Sequence, residues 1–317
     1  VKIRKITHQQ AEEFLGNTFS APTHWPDWNV LVAKHFDTDF YYLGAVEKGS
    51  LVGVCPVHRT RHRKWLYLMR SGQFHSIPNG GWIFSDSRVL NERCFPTDWK
   101  SSFQSFSLPF VNEFNVAPPE KKAILKKTLV IDLEKSLDAI WQEEIKGKRR
   151  NMIRKAQKQG IVIEPVTRVS DLERFYSLYL QSSKKYARQP LRLDFFRTML
   201  FDFTHVRLDI YMAFRQGRQL ANVCIISDKN YSIYWLGNQA NAFINSGQGE
   251  LLQWHAIQEM KGKGCKYYDL CYIEKEELPD IYRFKRGFSN NEKDIELMIR
   301  KPVSFRILNR LANVLSE

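Results

Sequence analysis

The 317 residues are 43% hydrophobic, enough to bury two ordinary cores, and their apolar stretches run only a few residues where a bilayer span needs about 20. Forty-eight Lys and Arg against thirty-four Asp and Glu leave a formal charge of +14, which selects phosphate-rich partners: nucleic acid, a CoA ester, a sugar nucleotide or an anionic membrane surface. The opening segment carries charge but no apolar signal-peptide core, five cysteines are an odd number and eight histidines are scattered, so the expected setting is cytoplasmic, with reduced thiols and no metal.

In chain order, a helix is predicted from Gln9 to Leu15 and another from Trp28 to His35, ahead of a β-hairpin in Tyr42 to Val57. Strands follow near Trp65 to Met69 and Gly81 to Phe84. A Ser/Phe/Pro-rich stretch with Pro118-Pro119 then marks the domain boundary, so the first domain is set at residues 1–125. The second half, 126–302, opens on the strand TLVIDL and a helix from Leu137 to Gln159, with Gly160 as a left-handed cap. A strand at Ile161 to Pro165 and helices from Ser170 to Tyr186 and Leu193 to Leu200 lead to a second hairpin. After it come the strand Tyr231 to Gly237, a helix opening at Glu250 or Leu251 and running to Lys261, and the strand KYYDL.

The second hairpin, Tyr211 to Ile226, repeats the first without a gap: Tyr42, Leu51, Val54 and Cys55 meet Tyr211, Leu220, Val223 and Cys224, with a glycine-bearing turn in the middle of each. A repeat at half the chain length means a duplicated domain, and helices over a mostly antiparallel sheet make each copy α+β.

Charge is uneven. Seven of the thirteen residues from Lys146 to Lys158 are basic and none is acidic, while Ile145, Met152, Ile153 and Ala156 keep an apolar stripe at helical spacing. Further on, Asn245-Ser246-Gly247-Gln248-Gly249 precedes a helix, and glycines there free backbone N–H groups for a phosphate. The loop matches neither a P-loop nor a dinucleotide fingerprint.

The basic helix with Arg150-Asn151-Met152-Ile153-Arg154-Lys155-Ala156, the run SGQGELLQWHAIQEMKGKGCKYYDL and the motif Phe284-Lys285-Arg286-Gly287-Phe288 together resemble the FemAB-like acyltransferases, which are tandem GNAT proteins. The resemblance implies two GNAT-like domains, each a mostly antiparallel sheet flanked by helices, and a C-terminal helix (303–317) packing back on the first. It implies an N-acyltransferase, most like those moving an acyl group from acyl-CoA, as co-substrate, to the amino group of a nucleotide-linked amino sugar for cell-envelope polysaccharide synthesis. The alternative within the family is a FemX-like transfer from aminoacyl-tRNA to a peptidoglycan precursor. The alternative outside catalysis is an RNA-binding module, although no stable nucleic-acid complex and no membrane span are expected.

On the family pattern the donor falls on Asn245, Ser246, Gly247, Gln248, Gly249, Glu250 and Leu251. Lys34 and Arg188 match the lysine and arginine that grip the acceptor's diphosphate, and Asn79, Trp82, Tyr186, Trp235 and Asn238 complete the acceptor set. An amine with a pKa near 8 is already ~10% neutral at pH 7, so a weak base suffices, and Asp269 beside the strand splay is its candidate. Lys285 is the candidate for the oxyanion, and Tyr272 or Tyr282 for protonating the departing thiolate.

Overall fold

The computed structural model describes residues 1–63, 66–72, 78, 80–85, 101–106, 122–240, 246–273, 276 and 278–314. The chain divides into two compact units, Val1–Lys127 with Lys293–Glu317, and Thr128–Glu292.

The first unit runs β1 (Lys2–Ile6), α1 (His8–Asn17), α2 (Pro26–Phe36), β2 (Asp39–Glu47), β3 (Ser50–Arg63), β4 (Leu66–Ser71), β5 (Ile83–Phe84) and β6 (Ser101–Phe106). Thr7 opens α1 with a reciprocal cap to Gln10, and Pro26 at the first turn of α2 fits a helix start. The strands lie in the order β1-β2-β3-β4-β6, all antiparallel except the parallel pair β4–β6, and β5 pairs with β3. Leu43, Ala45, Cys55, Val57, Met69, Phe84 and Phe103 form its core. The stretch 107–121 lies outside the described residues, as does Asn79.

The second unit takes up β7 (Lys122–Asp132) from Thr128 onward, then α3 (Leu137–Ala139), a π turn (Ile140–Glu144), α4 (Gly147–Lys158), β8 (Val162–Pro165), α5 (Val169–Lys185), α6 (Leu193–Phe201), β9 (Arg207–Arg215), β10 (Arg218–Ser227), β11 (Tyr231–Gln239), α7 (Gln248–Gly262), β12 (Tyr267–Ile273) and α8 (Pro279–Lys285). Its sheet order is β7-β12-β11-β10-β9-β8, with β11 and β12 running parallel. Tyr211, Ala213, Val223 and Ile225 face α4 and α7 on one side, while Trp235 meets Phe195 and Phe196 of α6 on the other. Covered on both faces, β10 is a buried run from Leu220 to Ser227, apolar but for Asn222 and Ser227, rather than an alternating one. The last elements are β13 (Glu292–Arg300), antiparallel to β6, and α9 (Val303–Val314), which packs on β4 and stacks its buried Phe305 on His62 of β3.

The helix predicted from Leu137 to Gln159 is in fact interrupted. Ile145 is extended and buried, and the Arg150 guanidinium donates to the carbonyls of Trp141, Gln142 and Ile145 at 2.9, 3.0 and 2.7 Å, closing the first segment before α4 begins. Gly160 adopts φ 68° just past α4, the left-handed cap its position called for.

Candidate active site

The second unit's sheet opens between β11 and β12. Strand β11 carries a bulge at Trp235, since Ile225 pairs with Tyr234 while Cys224 pairs with Leu236. Its ladder with β12 holds only Tyr231↔Tyr267, Ser232↔Tyr268 and Ile233↔Asp269, although the strands continue to Gln239 and Ile273. A bulge sharpens local twist, so the two strands diverge beyond Ile233 and leave a V-shaped mouth.

Asp269 forms the last rung at that mouth and is only 2% exposed. Its Oδ1 accepts from the Thr128 hydroxyl at 2.5 Å and from the Cys271 backbone N–H at 2.8 Å, and its Oδ2 accepts from the Tyr231 hydroxyl at 2.9 Å. Burial raises its pKa above the ordinary carboxylate range, against the pull of those donors and of the nearby Lys285 ammonium. Lys285, 8% exposed at the end of α8, donates from Nζ to the carbonyls of Tyr272 and Cys271 at 3.0 and 3.4 Å and lies 5.8 Å from the centre of the Tyr234 ring. Burial pushes the Tyr234 phenol up to about 12, and Gln253, which accepts from Tyr268 at 2.9 Å, also bonds Tyr234. A Cβ at Gly237 would fall 1.9 Å from Tyr234 Oη, so glycine is what lets that phenol lie across β11.

The start of α7 is built as tightly. Gly247 is its N-cap at φ 81°, and a Cβ there would meet the Met152 carbonyl oxygen at 2.2 Å, so glycine is required twice over. Gly247, Gln248, Glu250 and Leu251 are buried, whereas Ser246 and Gly249 are half-buried; Asn245 lies outside the described residues. In this first turn the Glu250 carboxylate receives Arg149 Nη1 at 2.6 Å. Arg149 also donates to the Arg283 carbonyl and spreads over Phe284, and a Cβ at Gly287 would come within 2.5 Å of its Nε. One arginine thus ties α4, α7 and the Phe284–Phe288 motif together.

The remaining predicted residues are spread across the chain. Trp82 is 6% exposed and stacks on Phe84 at 5.5 Å, and Trp235 is wedged among Phe195 and Phe196. Asn238 donates to Asn222 Oδ1 at 2.7 Å. All three are interior positions. Lys34 is an exposed residue of α2 in the first unit. Arg188, in the second unit, is exposed with its guanidinium 5.3 Å over the Tyr186 ring. Tyr272 is half-buried beside Lys285, and Tyr282 packs its ring on the second unit's core. Asp269, the candidate base, is sunk to 2% exposure with both oxygens accepting.

Sequence reasoning passed over Thr128, Tyr231, Tyr234, Gln253 and Arg149. The only signal was local for Tyr234, whose partner Gly237 breaks an otherwise apolar strand. Among the described residues no group of His, Cys, Asp and Glu could hold a metal, and no helix is long and apolar enough to cross a membrane.

Residues 146–286 match the sequence model of the acetyltransferase (GNAT) domain, which supports an acyltransferase. The solved structure of FemX is similar in fold over 98% of this chain and 99% of its own, with a TM-score of 0.66 at 11% identity. The C-terminal domain of a putative lysylphosphatidylglycerol synthetase from Agrobacterium fabrum follows over 97% and 96% (TM-score 0.55, 12% identity), and a tandem GNAT protein from the clavulanic acid biosynthesis pathway over 94% and 98% (TM-score 0.52, 10% identity). No curated protein sequence matches. Together these likenesses give the chain two tandem GNAT-like domains and support a FemAB-like GNAT family.

Proposed function

We propose that the protein is an N-acyltransferase that joins an acyl group from acyl-CoA to the amine of a nucleotide-linked amino sugar, with the reaction at the mouth between β11 and β12. The observation that carries this reading is the early end of the β11–β12 ladder with the Lys285 ammonium held at the opening. An arm bearing amides, such as pantetheine, would lie along the exposed edge of β11 as an added strand. Its thioester carbonyl would then sit near Lys285. Attack by the neutral amine forms the C–N bond, and the charge that develops on the carbonyl oxygen is stabilised by the ammonium. Collapse breaks the C–S bond, the thiolate takes a proton from solvent, and the attacking nitrogen loses its proton to solvent as it becomes the amide. With Asp269 occupied, a neutral amine supplied by its own equilibrium is enough. Arg188, exposed beside Tyr186, is the proposed phosphate contact of the acceptor.

One observation favours a second donor. A part-buried Glu250–Arg149 pair occupies the first turn of α7, where a CoA pyrophosphate would otherwise meet bare N–H groups. A donor without a pyrophosphate there, such as an aminoacyl-tRNA, suits that arrangement. Isothermal titration with acetyl-CoA, and separately a transfer assay with charged tRNA, decides between them. Saturable CoA binding that Gly247→Val abolishes, in a variant that melts as a folded protein, supports the first reading; transfer from charged tRNA with no CoA binding replaces it with the second.

A further inference from the structure

Strand β12 contains a residue that a strand should not tolerate. Cys271 adopts φ 62°, a left-handed conformation that is strained for a residue other than glycine. Strain of that kind persists only where neighbours impose it. Here the neighbour is Asp269, whose Oδ1 takes the Cys271 N–H at 2.8 Å from two residues earlier. The carboxylate is itself fixed from both flanks, by Thr128 of β7 and Tyr231 of β11.

The consequence falls on the following peptide groups. In a regular strand successive carbonyls point to opposite sides, so one ammonium cannot take two in a row. At Cys271 and Tyr272 both carbonyls turn to Lys285 Nζ. The left-handed residue is what brings them to one side. We propose that Asp269 is a positioning residue: clamped by Thr128 and Tyr231, it holds Cys271 left-handed and so builds the two-carbonyl seat that sets the Lys285 ammonium at the mouth. The clamp needs an acceptor oxygen at Asp269, whereas a proton-accepting role would need an ionisable one. Its bearing on catalysis rests on the acyl-transfer reading; the clamp itself does not.

Competitive trace labelling with acetic anhydride, read by mass spectrometry for the peptide holding Lys285, tests the seat without any substrate. Exposed Lys158 serves as the internal reference, and near-ultraviolet circular dichroism checks the fold. In the wild type Lys285 should label far more slowly than Lys158. Asp269→Asn keeps an oxygen for the Cys271 N–H and should leave that protection within about twofold, while Asp269→Ala should speed labelling of Lys285 about tenfold or more by local release. Adding Cys271→Gly to Asp269→Ala should restore most of the protection, because glycine holds a positive φ unaided. A merely structural carboxylate would not be rescued in this way. Wild-type protection in Asp269→Ala, or no restoration by glycine, overturns the proposal. Should Asp269→Ala not fold, Cys271→Val takes its place, since a β-branched residue resists φ near 60°; unchanged protection there overturns the proposal equally. Failure of the acyl-transfer reading would show separately, as no acyl transfer by the wild-type protein while the labelling results stand.

Discussion

The two hairpins, β2–β3 and β9–β10, are built alike down to the residue. Each turns on a pair with positive φ, Lys48-Gly49 and Gln216-Gly217, and each carries one extra residue in its second strand, Val52 and Leu220, at the same distance from the turn. Each second strand pairs with a third, β4 or β11, and each third strand takes a parallel neighbour. There the copies part. β4 stays zipped to β6 from Tyr67↔Ser101 to Ser71↔Ser105, but β11 leaves β12 after three rungs. The duplicated scaffold is common to both units; the candidate chemistry sits where one copy declines to close.

The largest test of that contrast is Lys285→Met. If the open ladder is the reaction site, removing the ammonium should lower kcat by about 10²–10³ with KM within about threefold, as expected for a group that acts on developing charge. Steady-state kinetics with the acyl donor and amine acceptor measure this. A wild-type kcat would take the opening out of catalysis, and the two units would then differ in shape alone.

A smaller effect distinguishes the units by pH. The first buries two neutral histidines: His58 bonds Asn29 at 3.0 Å and Thr38 at 2.9 Å, and His24 bonds the Gly81 carbonyl at 3.1 Å. Burial pushes His58 down to about 3 and His24 down to about 4. A depressed histidine pKa adds stability that is present above the unfolded value of about 6.5 and is lost as pH falls toward the folded value. In the second unit burial also lowers the pKa of His255, but that side chain is half-exposed. Hydrogen exchange resolved by peptide should therefore show the first unit losing about 1–3 kcal/mol between pH 6.5 and 4.5 beyond any loss in the second. Equal losses would mean that the buried network is not what separates them.

Much of the fold could be read from the residues, and the misreadings have physical causes. The ungapped repeat sets Gly49 opposite Arg218, whereas the turns match Gly49 with Gly217, one residue away. Hydropathy could not detect the slip, because β10 is buried on both faces and a shift by one residue still sets mostly apolar residues against mostly apolar ones. Lys285 and Gly247 were visible because their neighbours in sequence mark them. Thr128 and Tyr231 were not, lying 141 and 38 residues from the Asp269 they grip, joined only by the sheet. The run YSIYWLG also gave no hint that Trp235 is a bulge. In the basic helix, charge alone could not tell Arg149 and Arg150, which bond inward, from the exposed Arg154, Lys155 and Lys158.

The smallest expected effect tests whether the hairpins are equivalent at all. Gly49 and Gly217 adopt φ 88° and 72°, and a Cβ at either would meet nothing within 4 Å. Alanine at these positions therefore incurs only the conformational penalty of a positive φ, with no clash added, and each substitution should cost about 1 kcal/mol. Because the turn type, the preceding residue's positive φ and the adjacent bulge agree, the two costs should match within about 0.5 kcal/mol, a spread typical of independent sites. Urea unfolding of Gly49→Ala and Gly217→Ala, with exchange in β2–β3 and β9–β10 reporting each unit locally, gives both numbers. If the second hairpin suffered markedly more, its turn would be bearing load from the divergent β10–β11–β12 strands, and the opening would reach further into the sheet than the end of one ladder.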